Sequence, residues 1–217
     1  YNGSQFRTRF GIDVSAYQNR ASANETIDWQ AVRNDGVDFA FVRIGLRGYS
    51  SGKLAEDAFY RQNIEGAMNV GIETGVYFFA QAITVEEAIE EADFVIERLR
   101  GLNINGPVAY DWEMGNASYR VYGIDPAMAT ACAIAFCKRI QEAGYTPMIY
   151  QSSYVGYVKY DQGAIAPYLC WFPEYKSDQS EKLYPTYYYQ PDYWQFSSKC
   201  SIAGIGGNVD ANIQFIR

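Results

Sequence analysis

Two acids two residues apart, Asp111 and Glu113 in Pro107-Val-Ala-Tyr-Asp-Trp-Glu113, are the residues of this chain best placed to do chemistry. The run is short, apolar and β-rich, so it reads as a strand. Residues i and i+2 of a strand face the same side, with Cα atoms about 6.6–6.8 Å apart. Asp111 and Glu113 therefore project together above Ala109, while Tyr110 and Trp112 face the other way. Two carboxyls held close cannot both ionise freely, which keeps a proton available near neutral pH. Glycoside hydrolysis needs that arrangement: one acid protonates the leaving oxygen, and one carboxylate stabilises or attacks the anomeric carbon. Side-chain rotation spans separations from about 5 Å to about 9 Å, so the sequence leaves retention and inversion open. The competing reading of so short a pattern is a solvated strand edge.

Composition narrows the choice. The 217 residues contain no His, which removes Ser-His-Asp and Cys-His catalysis, His-liganded zinc and an imidazole base together. Chemistry is left to carboxylates, Tyr, Lys, Cys or a cofactor. Two further acids fall where strands end: Asp13 in Phe10-Gly-Ile-Asp-Val-Ser15 and Asp210 in Asn208-Val-Asp-Ala-Asn212. Four acids around one mouth would also suit a hard divalent cation, but no metal site is assigned and no cofactor is expected. Sugars stack on aromatic rings, and aromatic residues make up 17% of the chain. Tyr77, Phe79, Tyr150, Trp171, Tyr175 and Trp194, at strand ends, are the candidate substrate-binding walls. Trp29 and Trp112 are assigned to packing.

The elements that must position these groups alternate between β-rich runs and helical patterns, as β-α units do. Strands are expected over residues 10–15, 37–44, 74–80, 107–113 and 146–151. Helices are expected over 27–34, from about 55 to 69, from 84 to about 100 and from 125 to Gly144. Thr84 with Glu87 has the capping-box form, and Asp125-Pro126 places a cap before Pro at the first helical position. Beyond residue 151 the strands 169–175, 188–197 and 208–215 follow without a long helix between them, and the Tyr- and Pro-rich stretch 184–193 reads as a loop entering a strand. The fold class is α/β: an irregular TIM-like barrel with eight strands and about five helices, its late helices missing. A doubly wound sheet is the alternative. No internal repeat or linker interrupts the chain, so residues 1–217 are expected to form a single catalytic domain.

A net charge of -7 argues against a nucleic-acid binder, whose affinity rests on Lys and Arg neutralising phosphates. No apolar run approaches the roughly 20 residues that a membrane-spanning helix needs, and no membrane insertion is expected. The start Tyr1-Asn-Gly-Ser4 in place of Met points to a processed or trimmed chain. Cys132, Cys137, Cys170 and Cys200 show no metal-type spacing and read as buried thiols.

Taken in order, the motifs resemble glycoside hydrolase family 25, the Chalaropsis-type lysozymes or N-acetylmuramidases. Gly11-Ile-Asp-Val-Ser-Ala-Tyr-Gln18 is similar to the family's opening, and Ile27-Asp-Trp-Gln-Ala-Val32 with Gly36-Val-Asp-Phe-Ala-Phe-Val-Arg43 to its next two elements. Gly75-Val-Tyr-Phe-Phe79, Asp111-Trp-Glu113, Trp194-Gln-Phe-Ser197 and Gly207-Asn-Val-Asp-Ala-Asn212 complete the pattern. The resemblance implies cleavage of the β-1,4 bond between N-acetylmuramic acid and N-acetylglucosamine in peptidoglycan. It implies Glu113 as general acid, with Asp111 orienting the 2-acetamido group or stabilising the transition state. Asp13 and Asp210 complete an acidic cup, and Gln195 joins the substrate-binding residues. Phe78 stands where the family often has His, and Arg43 and Arg47 are weaker matches that would serve equally as rim charges. The implied partner is the peptidoglycan glycan strand, with no nucleic acid, and the chain is expected to be a monomer, extracellular or wall-associated, of bacterial or phage origin. The competing functions are a non-catalytic glycan-binding barrel and a chitinase-like glycosidase.

Overall fold

The computed structural model describes residues 7–20, 26–176 and 184–216, and the start Tyr1-Asn-Gly-Ser4 lies outside them. The described strands are β1 (Arg7–Val14), β2 (Phe39–Arg47), β3 (Leu54–Glu56), β4 (Glu73–Ala80), β5 (Val108–Trp112), β6 (Pro147–Tyr150), β7 (Leu169–Pro173), β8 (Tyr193–Cys200) and β9 (Val209–Ile216). They run in the order β1-β9-β8-β7-β6-β5-β4-β2, and β2 pairs back onto β1, so eight strands close a barrel. Closure rules out the doubly wound sheet. The short β3 lies outside the barrel as an antiparallel partner of the end of β2.

Neighbours are parallel from β1 through β2 and β4 to β8, but β9 is antiparallel to both β8 and β1. The reversal has a local cause. Only residues 201–208 join β8 to β9, with Gly204 and Gly207 at φ 90° and 114°. A parallel return needs a crossover of a dozen or more residues, so a connection this short makes a hairpin.

The helices are α1 (Ala16–Arg20), α2 (Trp29–Asn34), α3 (Tyr60–Asn69), α4 (Val85–Leu99), α5 (Pro126–Glu142) and α6 (Gln162–Ile165), with a π-helical turn at Val155–Lys159. The caps read from sequence form: Thr84 accepts from Glu87 N and Asp125 from Ala127 N. Among the described residues after β6, only the π turn and the short α6 remain, as the missing late helices predict.

The helix expected from residue 55 begins at Tyr60 instead. Leu54–Glu56 is drawn into pairing with Gly45–Arg47, and Asp57 then interrupts any helix. The carboxylate of Asp57 is buried and accepts from Phe59 N at 3.0 Å, from Ala16 N at 2.9 Å and from Arg43 Nε at 2.9 Å. Its side chain joins the start of α1, β2 and the approach to α3. Side chains stand on two sides of the barrel wall. Helices pack on an outer layer that includes Tyr110, Trp112 and both buried thiols of α5, Cys132 and Cys137. Cys170 and Cys200 are only partly buried, a correction to the sequence reading, because no long helix covers that part of the wall.

Candidate active site

The barrel interior is filled from below by rings. Phe39, Phe41, Trp171 and Tyr193 pack together at centroid distances of 4.9–5.3 Å, with Tyr77 and Tyr150 edge-on to Trp171 above them. Gly11 makes this possible: a Cβ there would lie 2.4 Å from the Phe39 ring. The plug closes the floor, so polar groups set on it are cut off from water on one side.

Four acids stand above that floor at the C-terminal mouth of the parallel strands. Asp13 is the penultimate residue of β1, Asp111 lies on β5 and Glu113 follows β5 directly. Asp210 is at the N-terminal end of β9, and it reaches the same mouth because β9 runs backwards: Asp13 and Asp210 are direct register partners. One amide organises this side. Gln195 Nε2 donates to Asp13 Oδ2 at 2.7 Å and to Asp210 Oδ2 at 3.4 Å, while its Oε1 accepts from the hydroxyls of Tyr150 at 3.2 Å and Tyr175 at 2.7 Å. Asn212 Nδ2 also donates to Asp13 Oδ2, at 2.8 Å, and is itself oriented by Trp171 Nε1. Among the described residues, no group of three or more His, Cys, Asp or Glu side chains is arranged to hold a metal ion.

Burial governs the electrostatics. Asp13 is pushed up to about 8, first by burial and then by the charge of Asp210, against the hydrogen bonds from Asn212 and Gln195. Asp210 is raised to about 6 by burial. Asp111, almost fully buried, is held well above the usual carboxylate range by burial and by Glu113. Glu113 is also raised, first by burial within the mouth, although solvent reaches its side chain. The charge of Glu113 thus strengthens the hold of Asp111 on its proton, and Oδ1 of Asp111 is buried without a partner among the described residues. Arg43 is the cation facing this group, and its charge opposes the rise at Asp111 and Tyr77.

Residues 12–205 match the model of glycosyl hydrolases family 25. The chain belongs to that family. It is 23% identical over 211 residues to Lysozyme M1 of Streptomyces globisporus, covering 93% of this chain and 66% of that one. The chain thus spans about two thirds of the length of this relative. Among solved structures, the spore cortex lytic enzyme SleM of Clostridium perfringens has a TM-score of 0.79 at 19% identity, over 95% of this chain and 67% of that one. The modular autolysin LytC of Streptococcus pneumoniae, solved with a synthetic peptidoglycan ligand, has a TM-score of 0.76 at 25% identity, over 95% of this chain and 46% of that one. The bacterial lysozyme of Streptomyces coelicolor has a TM-score of 0.75 at 23% identity, over 96% and 92%.

In this family 25 domain the mouth gathers Asp13, Asp111, Glu113, Asp210, Gln195, Tyr77, Tyr150 and Tyr175. Phe79, partly exposed, is the register partner of Asp111 on β4. Two expected walls lie elsewhere. Trp194 alternates with Gln195 and so faces outward, packed with Phe172 and Tyr187 and donating to Glu174 O at 3.0 Å. Trp171 points inward but is 1% exposed, so it serves as floor and as the anchor of Asn212 rather than as an open stacking face. Arg47 is also outside the mouth, buried against Glu91 at 2.7 Å. Three participants escaped the sequence reading. Asn212 shares strand parity with Asp210, a signal that was present. Tyr17, 69% exposed, lies under the Arg43 guanidinium at 5.3 Å, just past the first strand. Asp57 grips Arg43 from a segment that reads as helix.

Proposed function

We propose that this family 25 domain is a peptidoglycan hydrolase that cleaves the β-1,4 bond between N-acetylmuramic acid and N-acetylglucosamine. The observation that carries the reading is the placing of Asp111 and Glu113 together at the mouth, one carboxyl buried and the other open to the cleft, with burial holding both above the ordinary carboxylate range. Glu113 gives its proton to the glycosidic oxygen as the C1–O bond breaks. Asp111 Oδ1, without a donor among the described residues, accepts the N–H of the substrate's 2-acetamido group. That hydrogen bond favours the ionised form of Asp111 and leaves the pair's proton on Glu113. The oriented acetamido oxygen closes on the anomeric carbon from the opposite face. Water then opens the ring so formed, and its proton returns to Glu113.

Asp13 and Asp210, bridged by Gln195, shape the far side of the cup, and Tyr77, Phe79, Tyr150, Tyr175 and Tyr17 contribute ring faces or hydroxyls to the sugar subsites. Residues 1–217 act as one catalytic domain and as a monomer. Solved relatives described as an autolysin, a spore cortex lytic enzyme and an endolysin support a place of action at the cell wall, outside the cytoplasm, for a bacterial or phage protein.

The test is clearing of a peptidoglycan suspension, with new reducing ends counted. Glu113→Gln is expected to lower the rate by about 10²-fold or more while the protein still folds, as a cooperative thermal melt no lower than the wild type's shows. An undiminished rate would remove Glu113 from the role of acid.

A further inference from the structure

One flank of the barrel, away from the floor of the mouth, carries an aromatic surface that the reaction does not use. It lies outside β7, past the edge of the wall that α5 covers at β5 and β6. Tyr187 stacks flat on Phe172 at 4.3 Å and is met edge-on by Tyr157 at 4.9 Å and Tyr189 at 5.6 Å. The hydroxyl of Tyr157 accepts from Tyr188 N at 2.9 Å, tying the π turn to this segment. Tyr187 is buried, but Tyr157, Tyr188 and Tyr189 are 52%, 82% and 41% exposed. Exposed rings held in fixed mutual geometry offer contact area at little further loss of side-chain freedom.

Beside them opens a cavity of about 390 Å³, walled in part by Tyr189, Gln151, Gln162 and Asp192. Its polar groups are pre-set. Gln162 Nε2 donates to Gln151 Oε1 at 2.9 Å and to Gly156 O at 2.7 Å, and among the described residues its oxygen has no protein partner. Asp192 uses Oδ2 to accept from Cys170 N at 2.9 Å and keeps Oδ1 unused among the described residues. Among the described residues, no Lys or Arg lines the cavity. Ring faces, amides and a free carboxylate oxygen without a cation suit a ligand rich in hydroxyl and N–H donors and lacking strong negative charge, which is the chemistry of a sugar chain.

The surface is also continuous with the cleft. Tyr175, whose hydroxyl reaches Gln195 in the acid cup, neighbours Glu174, and the Glu174 carboxylate accepts from Thr186 N at 2.7 Å and from the Thr186 hydroxyl. The rim of the mouth and the tyrosine flank are thereby joined through Glu174 and Thr186.

We propose that this flank is a second glycan-binding site, which takes N-acetylhexosamine units of a peptidoglycan strand and holds the domain on an insoluble wall. The proposal rests on the reading of the substrate as peptidoglycan, but binding can be measured without cleavage. The experiment uses the Glu113→Gln protein and purified insoluble peptidoglycan, and reads the fraction retained. Replacing Tyr188 and Tyr189 together by Ala is expected to weaken retention about tenfold, while Tyr189→Phe, which keeps the ring, retains it. In the active protein the same double variant should slow clearing of insoluble wall and leave turnover of a short soluble oligosaccharide of the same repeat unchanged. Unchanged retention by both the double variant and Gln162→Ala overturns the proposal, even if Glu113→Gln abolishes cleavage as expected. So does concentration-dependent dimerisation that is lost on removing the tyrosines while retention stays, since the flank is then a contact between copies. A wild-type protein that binds wall through these tyrosines yet cuts nothing would sink the catalytic reading and leave this one standing.

Discussion

A carboxyl holds a proton near neutrality only where water is denied to it or a second acid stands close, and Asp111 meets both conditions. The ring floor and the strand wall bury it, and Glu113 adds its charge. The pair as a unit therefore loses its last proton above the ordinary carboxylate range, and activity should fall on the alkaline side as that proton leaves. Asp111→Asn removes one ionisation and the repulsion behind it. The expected result is a slower enzyme whose alkaline limb in kcat/KM lies at lower pH than the wild type's, measured on soluble oligosaccharide; a limb that stays in place would show that another group sets it. Much of this was legible residue by residue. Period-two alternation put Asp111 and Glu113 on one face and Trp112 on the other, where it packs at the barrel exterior. The same rule separates Trp194 from Gln195 and sends Trp194 outward, away from the substrate wall expected of it. The burial of Trp171 was not available, because alternation says inward or outward but not how deep a ring sits.

At the scale of elements, a single carboxylate ties three segments to the mouth. Asp57 is buried, bonds the first N–H of α1, and holds Arg43 through both Nε and Nη2, at 2.9 and 2.8 Å. Asp57→Ala leaves that guanidinium and the α1 N–H without their partner. Breaking a buried pair on one side costs about 3–5 kcal/mol, which for a chain of this size lowers Tm by roughly 10 °C. Calorimetry checks it, and a shift within a degree or two would mean that Arg43 finds another acid at once. Helix periodicity could not foresee this joint. Ala55, Ala58 and Phe59 have helical spacing with Ile64 and Ala67, but pairing with β2 and the three-way demand on Asp57 outweigh that local preference. The ends of α4 and α5 were readable because Thr84 and Asp125 satisfy backbone N–H groups within their own turn.

For the molecule as a whole, the acid cup makes stability depend on pH. The folded pKa of Asp13 is raised from 3.8 to about 8 and that of Asp210 to about 6. Between about pH 4 and 8 the folded state thus binds more protons than the unfolded chain, and stability falls as pH rises through that window. Glu87 and Glu174, which are lowered from 4.5, act in the opposite sense below it. Melting followed from about pH 5 to about pH 8 should show Tm dropping by several degrees, and Asp13→Asn should flatten the slope. A Tm that rises across this range would mean that the cup is ionised in the fold at little cost. Net charge alone does not foretell this, since it counts acids without saying which of them are kept from water.

By itself the sequence determined the chemistry available, the strand faces, the strongly capped helices and, through motifs in order, the family. These are local or linear properties: side-chain type, period and spacing are written in the chain. Tertiary structure alone decided that the last strand runs backwards and so delivers Asp210 to Asp13. It also decided that Gln195 and Asn212 orient the cup, that Trp171 is floor, and that a row of tyrosines stands exposed where late helices are missing. Each of these depends on which distant segment lies alongside, and burial, pKa and exposure have no value until that is settled.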